Sequence, residues 1–211
     1  MISVKSYLPP PVCRQEIWRY AGGEVTAAEG LLDECLAEIE GRLSYRVCWR
    51  ETAVHTDGKI CRFDGFSVPS ASLSAALAGC ERAVVFAATL GVELDRLVAK
   101  YGRLSPAKAM LLQAIGAERI EALCDTFCAA LGGTTRRFSP GYGDLPPSCQ
   151  RQVFDLLDCS RRIGLSLTDS LLMTPTKSVT AFVGLTDGGI ITNPNKCSGC
   201  DKADCPFRGD L

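Results

Sequence analysis

The sequence predicts an α+β fold, because strand segments joined by tight turns are interspersed with amphipathic helices. One predicted hairpin is centred on Asp57-Gly58, a dipeptide that favours a tight turn, between strand-like segments 44–55 and 59–68. A second is predicted where a Thr-Asp-Gly-Gly turn joins 177–185 to 189–192. Strands paired in this way argue against a doubly wound parallel sheet.

The helices in the first half of the chain follow from apolar spacing. A first helix is predicted over 26–43, where Thr26 and Glu29 have capping-box spacing and leucines and isoleucine recur at helical intervals. A short helix is expected to begin at Ser70 or Ser72. The apolar run 83–88 then predicts a buried strand, followed by a helix over 93–102.

The longest predicted helix lies in the second half of the chain. Ser105 is placed as its N-cap, Pro106 occupies the first helical position, and Gly132-Gly133 marks its end. A further helix is predicted from Ser148 to Gly164. We expect one domain over 1–195 and a Cys-rich tail over 196–211.

Composition limits the possible functions. The 211 residues are 46% hydrophobic and 22% charged, which suffices for one sizeable core. The 23 basic and 24 acidic side chains nearly cancel and form no basic stripe, so nucleic acid is not an expected partner. No apolar run reaches the roughly 20 residues that span a bilayer, and the first residues do not resemble a signal peptide. We therefore expect a cytoplasmic protein without membrane association.

Cysteine usage points to free thiols rather than disulfides. The chain has twelve cysteines, and several, such as Cys124 and Cys128, fall within apolar helical stripes. Such residues are expected to be buried and reduced.

The C-terminal tail is a candidate metal site with C-x2-C-x4-C spacing. That spacing could hold zinc or an iron–sulfur cluster, but both commonly need four ligands. The three tail ligands would be Cys197, Cys200 and Cys205. A fourth could come from a partner chain or from Cys13, Cys149 or Cys159. The alternative is a tail of reduced thiols.

The stretch RRFSPGYGDLPP, residues 136–147, is the main candidate for a binding loop. It is longer than most connections between helices, and such loops are often functional. Arg137 offers a planar fork that matches a carboxylate, Gly141 permits close backbone approach, and Tyr142 offers a face for stacking. Taken alone, these residues are equally consistent with a stiff surface connector.

Residues 136–185 resemble the activation domain of vitamin B12-dependent methionine synthases. The resemblance is carried by an R-x-x-x-G-Y-x-x-x-P loop and by an L-T-x-S…M-x-P-x-x-S-V segment. Upstream, AIGAERIEALCD resembles the family helix that presents a glutamate to the ligand, and VVFAATLGVELD resembles stand-alone members. The N-terminal third matches only loosely.

The resemblance implies a C-shaped α+β domain with a twisted antiparallel sheet that binds S-adenosylmethionine in a shallow groove. It also implies a corrinoid-binding partner, because in these enzymes the domain meets inactive cob(II)alamin on the cobalamin-binding domain. An electron from a flavodoxin- or ferredoxin-type donor and the methyl group of S-adenosylmethionine then restore methylcobalamin.

The same resemblance implies site residues. Arg137 matches the family arginine that contacts the methionine part of the ligand, and Ser139, Gly141 and Tyr142 match the loop along it. Glu121 matches the helix glutamate, although a shift of one turn would select Glu118 instead.

Departures from the full enzyme imply action in trans on a methionine synthase that lacks this domain, since 211 residues leave no room for cobalamin, folate or homocysteine modules. His55 lacks the acid of the cobalt-binding D-x-H-x-x-G motif, with Ala53 in that place, and is expected to be a strand-end residue. One alternative is an S-adenosylmethionine-dependent methyltransferase with another acceptor, although no G-x-G-x-x-G loop is present. The other is an electron-transfer module that uses the tail.

Overall fold

The computed structural model describes residues 1–23 and 28–186, which form a curled antiparallel sheet with helices on both faces. The strands are β1 Ser3–Ser6, β2 Arg46–Thr56, β3 Ile60–Phe63, β4 Phe66–Pro69, β5 Arg82–Thr89, β6 Ser166–Leu167, β7 Met173–Thr174 and β8 Ser178–Gly184. The helices are α1 Arg14–Tyr20, α2 Glu29–Ile39, α3 Ala71–Ala76, α4 Glu93–Leu104, α5 Pro106–Ala130, α6 Cys149–Leu157 and α7 Cys159–Ile163. The predicted α+β class is confirmed.

The main sheet has the strand order β4-β3-β2-β5-β8, with β1 paired to the first half of β2. The hairpin at Asp57-Gly58 is confirmed, and the Asp57 carboxylate accepts hydrogen bonds from the amides of Lys59 and Ile60 at 3.0 and 2.8 Å. The prediction of a single strand over 59–68 is wrong. This segment forms two strands, β3 and β4, because Gly65 adopts φ +97° and turns the chain back on itself.

Strand β5 lies between β2 and β8 and separates two hydrophobic cores. Val84, Phe86 and Ala88 face one core with α1, α2, α4 and α5. The alternate residues Ala83, Val85 and Ala87 face the other core with α3, α6 and α7. The predicted strand over 177–185 is β8, whereas its predicted hairpin partner, 189–192, lies outside the described residues.

Helix α5 begins and ends close to the predicted positions. Pro106 is its first residue and Ser105 precedes it, although the Ser105 side chain makes no capping hydrogen bond. Helix α2 begins at Glu29, and the predicted capping residue Thr26 lies outside the described residues. Strand β1 and helix α1 precede the first predicted helix and were not predicted from the sequence.

The helix predicted from Ser148 to Gly164 is two helices. Asp158 adopts a left-handed conformation with φ +48° and ends α6, and α7 begins at the next residue. The break lets Leu157 of α6 and Ile163 of α7 both enter the second core, which a continuous helix of this length would not align.

The nine cysteines in the described ranges are free, and six of them are buried, in agreement with the prediction. Among the same residues, no helix is long and apolar enough to cross a membrane.

Candidate functional site

A cleft of about 420 Å³ lies between the N-terminal segment and α5. Its walls carry four carboxylates, a thiol and a phenol. The lining residues are Pro10, Pro11, Cys13, Glu16, Tyr20, Glu118, Glu121, Ala122, Asp125 and Thr126. The concentration of acids makes this cleft suitable for a ligand that carries positive charge.

The N-terminal wall of the cleft is an extended segment, residues 7–13, which we call the strap. The Tyr7 amide donates to the Tyr45 carbonyl at 2.8 Å at one end of it. At the other end, the Cys13 amide donates to Oε1 of Glu118 at 3.1 Å. The strap leads directly into α1, which supplies Glu16 and Tyr20 to the same cleft.

Glu118 and Arg119 form a buried ion pair at the base of the strap. Their side chains are 4% and 2% exposed, and the guanidinium donates to both carboxylate oxygens. The sequence left Glu118 and Glu121 as alternatives for a ligand-binding acid. Glu118 is bonded to Arg119 in this buried pair, whereas the side chain of Glu121 is 35% exposed and therefore accessible to a ligand.

Arg137 lies over the next turns of α5. Its guanidinium donates to Oε2 of Glu121 at 2.5 Å and to Oδ1 of Asp125. Burial alone would lower the pKa of Arg137, but the anionic groups around it, Glu121 and Asp125 among them, outweigh burial and raise the pKa. The structure thus brings together two residues that were predicted to share a site.

Tyr20 adds an aromatic group to this corner of the cleft. Burial and, after it, the negative charge of Glu121 raise the pKa of the Tyr20 phenol, which therefore remains a neutral hydrogen-bond donor at physiological pH. Tyr20 was not predicted from the sequence as a site residue. Asp125 lies one helical turn after Glu121, and without the family resemblance this spacing indicates only a solvated helix face.

The predicted binding loop continues from Arg137 as a compact turn. The Gly141 amide donates to the Leu145 carbonyl at 2.9 Å, and the Tyr142 amide donates to the Ser139 carbonyl at 3.0 Å. Gly141 has φ +94° and open space where a side chain would be. Tyr142 is 61% exposed, and its ring makes an edge contact with Phe138 at 6.2 Å between centroids.

The loop residues divide between the two faces of the sheet edge. Phe138 pairs with Phe182 of β8 through two backbone hydrogen bonds of 2.9 Å, and its ring packs against the second core. Arg137, the preceding residue, points instead toward α5 beside the first core, as alternation along an extended chain requires. Arg137 therefore meets Glu121, whereas Tyr142 lies on the Phe138 side.

Asp144 anchors this loop to α3. Its carboxylate accepts hydrogen bonds from the Ser70 hydroxyl at 2.5 Å and from the amides of Ala71 and Ser72 at 2.7 and 3.0 Å. The bond from Ser70, followed by those from the two amides, holds the pKa of Asp144 well below its usual range. Sequence reasoning missed this anchor because more than seventy residues separate its partners.

The predicted metal ligands are not brought together by the described part of the chain. Cys197, Cys200 and Cys205 lie outside it. Cys13 is exposed in the cleft, whereas Cys149 and Cys159 are buried in the second core. Burial raises the pKa of Cys149 to about 12, which disfavours the thiolate that metals require.

His55 is an exposed residue near the end of β2, paired with Arg62 of β3, as predicted. Within residues 1–23 and 28–186, no group of three or more His, Cys, Asp and Glu side chains is arranged to hold a metal ion.

Comparison with known proteins agrees with this architecture. Residues 133–187 match the family model of the vitamin B12-dependent methionine synthase activation domain, and this segment includes Arg137, Ser139, Gly141 and Tyr142. The resemblance noted in the sequence is thereby confirmed.

One similar solved structure is the "Crystal Structure of the MetH Reactivation Domain bound to AdoHcy". The two sequences are 14% identical. The match covers 87% of this chain and 78% of the chain in that structure, with a TM-score of 0.63. This likeness shows that the two share a fold. No curated protein matches the chain.

Proposed function

We propose that this protein binds S-adenosylmethionine in the acidic cleft and supports reductive remethylation of cob(II)alamin on a separate, cytoplasmic corrinoid-dependent methyltransferase. The observation that carries the proposal is the contact of Arg137 with Glu121 and Asp125 beside the cleft. Arg137 comes from the segment that matches the activation-domain family. The corrinoid partner we propose is a methionine synthase without its own activation domain.

The charges around the cleft match those of S-adenosylmethionine. The ligand carries a sulfonium, an ammonium and a carboxylate. Glu16, Glu121 and Asp125 offer carboxylates to its positive groups, and the Tyr20 ring offers a face and a hydroxyl. A volume of about 420 Å³ is within the range of pockets that take small ligands.

Arg137 would bind the ligand carboxylate. A guanidinium has five N–H donors, and the bonds to Glu121 and Asp125 use two of them. Both acids are partly exposed, so water and the positive groups of a ligand can reach their carboxylates, whereas Arg137 is 17% exposed and needs an anionic partner in any arrangement. We therefore propose that Arg137 turns from its helix partners, or adds a bond, to meet the ligand carboxylate while the two acids meet the ligand ammonium.

The methyl group for remethylation would come from the bound S-adenosylmethionine. The residues of this chain would bind and orient that ligand, and the loop of Ser139, Gly141 and Tyr142, in which Gly141 and Tyr142 are exposed, would lie along it. A flavodoxin- or ferredoxin-type protein would supply the electron. The solved relative is bound to AdoHcy, the product that S-adenosylmethionine becomes after losing its methyl group, and this supports the choice of ligand.

Calorimetry with S-adenosylmethionine and with cobalamin tests the proposal. We expect the isolated protein to bind the first and not the second. A reactivation assay with a corrinoid methyltransferase and a low-potential electron donor should show remethylation that depends on this protein. Absence of S-adenosylmethionine binding, or tight binding of free cobalamin, would contradict it.

A further inference from the structure

We propose that Glu118 and Arg119 are positioning residues. Their hydrogen bonds to Pro10, Pro11 and Cys13, which we call the clasp, hold the strap, residues 7–13, against α5, and the strap then forms one wall of the cleft. The clasp itself is independent of the ligand. Its effect on ligand affinity rests on the function proposed above.

Arg119 binds the strap through backbone carbonyls. Its Nη1 donates to the Pro10 carbonyl at 2.5 Å and its Nη2 to the Pro11 carbonyl at 2.6 Å. A proline has no N–H, so its carbonyl is the only hydrogen-bonding group that it offers on the main chain. A guanidinium only donates, and its two terminal nitrogens have the spacing to serve two consecutive carbonyls.

Glu118 completes the clasp from the adjacent position of α5. Its carboxylate neutralises Arg119 and also accepts from the Cys13 amide at 3.1 Å. Two neighbouring side chains of one helix therefore bind Pro10, Pro11 and Cys13. The pair is enclosed, so both charges are compensated without solvent.

Tyr7 packs against the first core at one end of the strap, but residues 8–13 have little apolar packing. Leu8 and Val12 are 88% and 46% exposed, and Pro9, Pro11 and Cys13 are also exposed. The other end is attached by the packing of Tyr7 and by the bond from its amide to the Tyr45 carbonyl. Because little apolar surface is buried over residues 8–13, the polar bonds to Glu118 and Arg119 determine where this part of the strap lies.

The position of the strap determines the shape of the cleft. Pro10, Pro11 and Cys13 line it, and α1 carries Glu16 and Tyr20 into it immediately after the strap. If the strap left α5, this wall would be lost, whereas Glu121 and Asp125 would stay in place on the opposite wall.

The double variant Glu118→Leu/Arg119→Met removes the clasp and replaces a buried ion pair by apolar side chains of similar size, a change that proteins often tolerate. Amide hydrogen exchange followed by mass spectrometry reports on the strap in the full chain, and its most informative group is the Cys13 amide, which donates to Glu118. We expect exchange of this amide to rise at least tenfold and the increase to be confined to residues 7–13. S-adenosylmethionine affinity should fall at least tenfold.

Arg14→Met is the matched control, because it removes exposed ion pairs with Glu29 and Asp33 at the start of α1 without touching the clasp. It should leave amide exchange over residues 7–13 near that of the wild type. Arg119→Lys provides a milder test, since an ammonium keeps the charge beside Glu118 but does not reproduce the fork to two carbonyls. An intermediate increase in exchange of the Cys13 amide is expected.

A folded double variant with wild-type amide exchange over residues 7–13 would overturn the clasp. If the wild-type protein does not bind S-adenosylmethionine, the proposed function fails, but the exchange measurement still decides whether the clasp exists. If the strap is released and ligand affinity is unchanged, the strap is not a wall of the binding site.

Discussion

Two neighbouring parts of α5 use the same chemistry under different solvent exposure. Glu118 pairs with Arg119 where both side chains are at most 4% exposed. About one turn later, Glu121 and Asp125 pair with Arg137, and the three side chains are 35%, 58% and 17% exposed. The first group binds backbone atoms of its own chain, whereas the second borders the open part of the cleft.

The difference shows how burial divides carboxylate–guanidinium pairs between structure and binding. A buried pair is costly to break, because each charge left alone lacks both solvent and partner. Where the carboxylates are partly exposed, as those of Glu121 and Asp125 are, water screens the interaction, and the acids can exchange partners. We infer that Arg119 fixes the wall of the cleft and that Arg137 remains available to a ligand.

The largest effect on stability is expected when only one member of the buried pair is removed. Arg119→Met leaves the Glu118 carboxylate buried without its cation and should lower the free energy of unfolding by about 3–5 kcal/mol. The double variant with Glu118→Leu should recover most of this loss, because no charge stays unpaired. Urea denaturation of both variants checks the prediction. A single variant as stable as the wild type would show that the pair is not structurally important.

Arg137→Ala should affect binding more than folding. We expect S-adenosylmethionine affinity to fall by on the order of 2–4 kcal/mol, because the ligand carboxylate loses a bidentate partner. Stability should change little, since Glu121 and Asp125 remain partly solvated. Arg137→Lys should recover only part of the binding.

Arg96→Ala is the control for Arg137→Ala, because Arg96 forms an exposed pair with Glu93 on α4, away from the cleft. It should bind S-adenosylmethionine as the wild type does. Equal effects of the two substitutions would remove the distinction between a ligand-binding arginine and a surface arginine.

Much of the fold could be predicted because its signals are local. Pro106 and Gly132 bound the longest helix, the apolar run of β5 predicts a buried strand, and Asp57-Gly58 predicts a hairpin. The break at Asp158 could not be predicted, because it depends on how α6 and α7 both pack into the second core.

The candidate site was predictable only in part. Resemblance brought Arg137 and Glu121 into one hypothesis, and the structure brings them into contact. The clasp between Arg119 and the strap joins residues more than a hundred positions apart, and no periodicity reports such a contact. The separation of Tyr142 from Glu121 depends on the alternation of Arg137 and Phe138 at the sheet edge.

A smaller effect concerns the anchor of the exposed loop. Asp144 has a lowered pKa in the folded protein, so its anchoring contribution is complete above the pKa of the unfolded chain and is lost as the pH falls through the folded pKa. Asp144→Asn should increase amide exchange severalfold over residues 139–145 at neutral pH. Protection of the wild-type loop, measured relative to intrinsic exchange at the same pH, should persist in mild acid. Equal exchange in both proteins at neutral pH would contradict the anchoring role.

The smallest expected effect is discrimination by charge. S-adenosylmethionine carries a sulfonium that AdoHcy lacks, and the partly exposed Glu121 and Asp125 should favour the cation by about 1 kcal/mol, roughly fivefold in affinity. Screening should reduce this preference at high salt. Competition titrations at two salt concentrations measure it, and a salt-independent preference would indicate that these acids are not responsible.

Protection of Cys13 from alkylation tests most directly whether the ligand occupies the cleft between the strap and α5. Cys13 is exposed and lines that cleft. Saturating S-adenosylmethionine should slow its reaction with N-ethylmaleimide at least tenfold in the wild type, and the same concentration should protect it much less in Arg137→Ala. Unchanged Cys13 reactivity in a protein that calorimetry shows to be saturated would place the ligand elsewhere and contradict the account.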